Sequence, residues 1–87
     1  MTDHEPEIIL YGTRWCFDSR RSRAVFDKMG VPYTFIDINK NLDGKKFVQQ
    51  LNHGNLSVPT IVFPDGSILV EPPDDILKEK LTAFIRS

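Results

Sequence analysis

Cys16 is the single cysteine of an 87-residue chain, and the residues around it are those that a sulfur nucleophile would use. A lone cysteine cannot close an internal disulfide, so its redox chemistry must involve a sulfur on another molecule. Four of the five arginines, Arg14, Arg20, Arg21 and Arg23, lie close to it in sequence, against one nearby acid, Asp18. Cations and a helix N-terminus both favour thiolate over thiol, and the thiolate is the species that attacks disulfides. The string from Trp15 to Arg21 therefore points to thiol-disulfide exchange at Cys16, with Trp15, Ser19 and Arg20 as supporting residues. Ser19, one helical turn on, is expected to donate a hydrogen bond to the sulfur. Trp15 either provides an apolar, cation-binding floor for a substrate or packs across its own loop.

For Cys16 to stand at a helix start, a strand must deliver the chain to it. Ile8, Ile9, Leu10 and Tyr11 run without a polar break, as a central strand covered on both faces would, and Gly12 ends the run. A helix is expected from Phe17 to Met29, with Phe17, Ala24, Val25 and Met29 on its buried face and Gly30 as its stop. Residues 33–38 read as a second strand. A short helix begins near Asp43 and ends before Gly54, with Phe47 in the core. Two strands over 60–63 and 68–70 flank the turn Pro64-Asp65-Gly66-Ser67. A closing helix carries Leu77, Leu81, Phe84 and Ile85 on one face and Asp74 and Asp75 in its first turn. The order βαβαββα describes an α/β domain, a four-stranded mixed sheet flanked by three helices, spanning residues 1–87 with a flexible tail over 1–6.

The stretch Tyr11-Gly12-Thr13-Arg14-Trp15-Cys16-Phe17-Asp18-Ser19 resembles the active-site motif of glutaredoxins, Y-[SGT]-x-x-x-C-x-x-[CS]. The form Trp-Cys-x-x-x-Arg-Arg is similar to the mycoredoxin branch. Ser57-Val58-Pro59-Thr60 resembles the family's T-V-P motif, whose proline is cis and lies beside the active-site sulfur. The resemblance implies a thioredoxin-like fold and monothiol exchange on mixed disulfides between proteins and low-molecular-weight thiols, because Ser19 stands where two-cysteine members carry the resolving sulfur. No bound cofactor is implied; glutathione or mycothiol would be the co-substrate, and thiolated proteins the partners. Arg14 substitutes for the family's lysine, whose place is Thr13, in holding a substrate carboxylate. Val58 and Pro59 would present backbone to an extended thiol peptide. The family's Gly-Gly and Cys-Asp pairs align with Val70-Glu71 and Pro72-Pro73, which leaves Asp74 or Asp75 as partner for a substrate amine.

Composition sets the remaining bounds. The chain is 40% hydrophobic and 26% charged with a net charge of -1, which suits a folded domain and gives no reason to expect a nucleic-acid or membrane partner. Its apolar runs are far shorter than the ~20 residues of a membrane span, and its start has no basic region or apolar core of a secretory signal, so a cytoplasmic monomer is expected. His4 lies in the acidic tail and His53 near the end of the second helix, where a histidine commonly answers the helix dipole, and no metal site is expected. Two other classes compete with exchange. One is iron-sulfur cluster carriage, as in monothiol glutaredoxins with a Cys-Gly-Phe-Ser site, although Phe17-Asp18 would put a carboxylate beside an anionic cluster. The other is a binding domain of the same fold without turnover.

Overall fold

The structure is a computed structural model, and it describes residues 7–86; the tail expected over 1–6, with His4, lies outside them. The elements are β1 (Ile9–Gly12), α1 (Phe17–Met29), β2 (Thr34–Asp37), α2 (Leu42–Leu51), β3 (Thr60–Val62), β4 (Ile68–Val70) and α3 (Asp74–Arg86). This is the expected thioredoxin-like βαβαββα order, with boundaries moved by a residue or two. The sheet runs β2-β1-β3-β4, with β1 parallel to β2, while β3 pairs antiparallel with both β1 and β4. A central β1 explains its unbroken apolar run, since both of its faces are covered.

Side chains alternate across β1 and so sort the helices. Leu10 faces a core of Ile8, Val25, Phe26, Ile61, Phe63, Leu77 and Leu81, which joins the sheet to α1 and α3. Tyr11 faces the other way and stacks on Phe47 of α2, with ring centroids 5.0 Å apart. That helix comes close because Gly44 has no side chain: a Cβ there would lie 2.9 Å from Ile36 Cγ2. Asn41 caps α2 by accepting the Gly44 N–H at 2.8 Å, a start earlier than the expected one near Asp43. Phe47 therefore lies half-exposed against Tyr11 rather than in the core.

The buried face of α1 is only in part the expected one: Val25 is buried and Met29 packs against the core, but Phe17 and Ala24 do neither. Ser19, Ser22, Val25 and Phe26 are buried, whereas Phe17 is 72% exposed and Ala24 faces solvent. Small side chains let α1 lie tightly over β1: a Cβ on Gly12 would stand 2.7 Å from Ser19 Oγ. Counting apolar residues misreads a face whose packing is made by serines. In α3, Leu77 and Leu81 are buried and Phe84 stacks on Phe63 with centroids 6.4 Å apart, but Ile85 has turned out to solvent. Gly30 ends α1 in the left-handed conformation, φ 69°, as expected. In the β3–β4 turn the Asp65 carboxylate accepts the Ser67 hydroxyl and N–H, which holds its carboxyl below the usual range.

Candidate active site

β1 ends at Gly12, and the loop that follows carries the chain to Cys16, the N-cap residue of α1, with φ −75° and ψ 124°. The cap is fixed by its backbone. Cys16 N–H donates to Thr13 Oγ1 at 3.0 Å, and its carbonyl accepts the Arg20 N–H at 3.0 Å. The Cys16 side chain does not cap the helix, so the first-turn N–H groups and the positive end of the helix dipole remain available to an anion. Ser19 does not reach the sulfur. It is fully buried, and its Oγ accepts the Thr13 N–H at 3.3 Å; the inward face of α1 points it at the Gly12–Thr13 turn.

The other side of the sulfur is the loop before β3. The Val58–Pro59 peptide bond is cis, as the resemblance implies, and Cys16 Sγ–H donates a long hydrogen bond of 3.9 Å to the Val58 carbonyl. Val58 N–H has no hydrogen-bond partner among the described residues. Two side chains hold this loop. Thr60 Oγ1 donates to the Ser57 carbonyl at 2.7 Å, and Asn52 Nδ2 donates both to Thr60 Oγ1 at 3.3 Å and to the Val48 carbonyl at 3.0 Å. The C-terminus of α2 is thereby tied to the loop that faces the sulfur.

The arginines divide into two pairs. Arg21 bridges Asp18 at 3.3 Å and Asp74 at 3.1 Å and lies over the Phe17 ring. Arg23 points elsewhere, donating to Tyr33 Oη at 3.1 Å and covering the Phe35 ring. Arg14 and Arg20 are exposed and have no ion-pair partner among the described residues. Half of the expected cationic cluster is thus committed to structural contacts. Among the described residues no three ligand-type side chains gather where they could hold a metal ion, and no helix is long and apolar enough to cross a membrane.

The glutaredoxin family model matches this chain over residues 8–68. The chain belongs to the glutaredoxin family. It is 36% identical over 74 residues to a protein of Mycobacterium tuberculosis that is named for the glutaredoxins, covering 85% of this chain and 88% of that one. It is 31% identical over 65 residues to mycoredoxin 1 of Corynebacterium glutamicum, covering 75% of this chain and 80% of the relative. Among solved structures it is similar to a glutaredoxin of Archaeoglobus fulgidus, with a TM-score of 0.67 and 25% identity over 99% of this chain and all of that one. The holo form of glutaredoxin C1 from Populus tremula x tremuloides shares the fold, with a TM-score of 0.63 at 18% identity over 87% of this chain and 74% of that one. The thiol redox chemistry of the family falls here to one cysteine.

In this glutaredoxin, Cys16, Val58 and Pro59 come together, and Arg21 links Asp74 to the first turns of α1. Arg14 and Arg20, close to Cys16 in the chain, and Asp75, next to Asp74, are exposed and have no ion-pair partner among the described residues. Trp15 is 86% exposed, so it does not pack across its loop. Asn52 and Thr60 escaped the sequence reading. An asparagine just after the last apolar position of a helix is a cap signal, but its second bond crosses to a loop that periodicity cannot place. Asn52→Ala is expected to lower stability by about 1–2 kcal/mol, since it removes a side chain that serves two acceptors in a half-buried place. Urea unfolding checks this; a variant with the parent's midpoint would show that the tie carries no weight.

Proposed function

We propose that this chain is a monothiol thiol-disulfide oxidoreductase that removes a low-molecular-weight thiol from protein mixed disulfides, with mycothiol preferred to glutathione. The observation that carries this reading is the pairing of a half-buried sulfur at an open helix N-terminus with the Val58 carbonyl 3.9 Å away. Beside it the Val58 N–H is unpartnered among the described residues, so an extended thiol compound gains a donor and an acceptor next to the reacting atom.

In the first step the Cys16 thiolate attacks the small thiol's sulfur in the mixed disulfide. The sulfur–sulfur bond breaks, the protein sulfur leaves as a thiolate and takes a proton from solvent, and the small thiol is now bonded to Cys16. A second molecule of small thiol, as its thiolate, then attacks the small thiol's sulfur in that bond. This releases the oxidised small disulfide and restores the Cys16 thiolate. No second cysteine is needed. Val58 and Pro59 orient the substrate backbone, Arg14 and Arg20 attract its carboxylates, and Trp15 offers it an exposed ring.

One feature supports mycothiol: a relative bears the name mycoredoxin 1. The partners in this reading are the small thiol and thiolated proteins, met by a monomer in the cytoplasm. The test is turnover of one peptide as its mycothiol and glutathione mixed disulfides, with intact mass recording what is added to Cys16. The mycothiol substrate is expected to lead by about tenfold in kcat/KM, which corresponds to ~1.4 kcal/mol. Equal rates, or a lead for glutathione, would reject mycothiol as the preferred thiol.

A further inference from the structure

The segment joining β4 to α3 is held at both ends by the structure that holds the sulfur. At one end Glu71 N–H donates to the Pro59 carbonyl at 2.8 Å, the residue after the one whose carbonyl meets Cys16 Sγ at 3.9 Å. At the other, Asp74 accepts the Arg21 Nε–H at 3.1 Å, and Arg21 belongs to the helix that Cys16 caps. Pro72 between them is buried. Glu71 adopts φ 48°, a left-handed conformation in which glycine and asparagine are favoured and a long side chain is uncommon. Its side chain is exposed, and its carboxylate has neither ion-pair nor hydrogen-bond partner among the described residues. A turn alone would be better served by asparagine, so the backbone does not account for a glutamate. Strained residues of this kind gather at functional sites, and what glutamate adds here is a negative charge on a segment hydrogen-bonded to the loop that faces the sulfur.

We propose that Glu71 is a specificity-determining residue of the Cys16 site: its carboxylate disfavours disulfides whose thiol arm bears a carboxylate and favours arms that are cationic or rich in hydrogen-bond donors. The proposal rests on Cys16 being the exchanging sulfur. Other charges act on the same substrate. Arg14 and Arg20 pull in the opposite direction, Asp75 acts with Glu71, and Asp18 and Asp74 are held by Arg21. The parent's absolute preference therefore mixes both signs. The share of Glu71 is the change seen when its charge alone is removed.

The experiment follows stoichiometric modification of Cys16 in the full chain by two symmetric disulfides, cystamine and 3,3′-dithiodipropionate, using intact mass. In each case the Cys16 thiolate attacks one sulfur, the reagent's sulfur–sulfur bond breaks, half the reagent stays on Cys16 and the other half leaves as a thiolate. Glu71→Gln is expected to raise the rate ratio of dithiodipropionate to cystamine about threefold to tenfold at low salt, as a unit charge near an exposed site does. The difference between parent and variant should close between about 0.02 M and about 0.5 M salt, where screening shortens from roughly 20 Å to a few Å. Glu71→Asp should stay near the parent, and Glu71→Asn should match Gln in its ratio while melting higher, which separates charge from folding. The same ratio in parent and Gln variant at low salt would overturn the proposal. A chain that takes both reagents onto Cys16 but never turns over a mixed disulfide would overturn the exchange reading instead, and the ratio would still decide the role of Glu71.

Discussion

Cys16→Ser is expected to abolish mixed-disulfide exchange while leaving the fold as stable as the parent or more so. The chain has no other cysteine that could accept the small thiol, and a serine hydroxyl is neither ionised near neutral pH nor able to exchange with disulfides. The structure adds the second half of the expectation. Cys16 is the N-cap of α1 and gives the first turn no side-chain hydrogen bond, whereas serine is among the strongest N-cap residues and would add about 0.5–1 kcal/mol. Loss of activity with a thermal midpoint held or raised would therefore be loss of chemistry and not of structure. A residual rate above about a tenth of the parent's on a mixed disulfide would remove Cys16 as the nucleophile.

How much of this was legible in the sequence depends on which physical signal each feature uses. The order of elements follows from apolar runs and breakers, so β1 and the ends of α1 at Phe17 and Gly30 could be read directly. The position of Cys16 at a helix start came from the same signal, and the cis bond at Pro59 from the motif around it. What the sequence misrepresented are faces and charges. The buried face of α1 runs through Ser19 and Ser22 because close approach to Gly12 selects small side chains, not apolar ones. The arginine cluster looked uniformly cationic, yet Arg21 is drawn away by Asp74 of α3 and Arg23 by Tyr33 just before β2, contacts between elements that only the folded chain makes. The tie from Asn52 to Thr60 was invisible for the same reason. Glu71 carries no sequence signal for a left-handed conformation, since glutamate is not a residue that marks one.

Ser19→Cys is expected to give this glutaredoxin a dithiol mode that the parent lacks. Cys16 caps α1 and residue 19 follows in its first turn, a spacing that puts Cβ atoms about 5–6 Å apart on one face, so a modest adjustment brings two sulfurs to bonding distance. The site is tight: Ser19 is fully buried, its Oγ lies 2.7 Å from where a Cβ on Gly12 would stand, and it accepts the Thr13 N–H at 3.3 Å. A sulfur is larger and a poor acceptor, so the reduced variant should lose about 1–2 kcal/mol of stability. That crowding also favours the rotamer turned from Gly12 toward Cys16. Once a protein disulfide has reacted with Cys16, the parent holds a mixed disulfide with no internal thiol to resolve it. In the variant the introduced thiol would attack the Cys16 sulfur and release the protein as its thiol. Reduction of a protein disulfide should therefore rise by about tenfold or more, while turnover of small mixed disulfides stays similar or falls as the internal disulfide diverts Cys16. The measurements are intact mass after mild oxidation, which should show the loss of two hydrogens, and the rate of protein disulfide reduction beside the parent. A folded variant whose two sulfurs stay apart under oxidation would mean that residues 16 and 19 do not share the face assigned to them, and the placement of the nucleophile at the cap of α1 would fall with it.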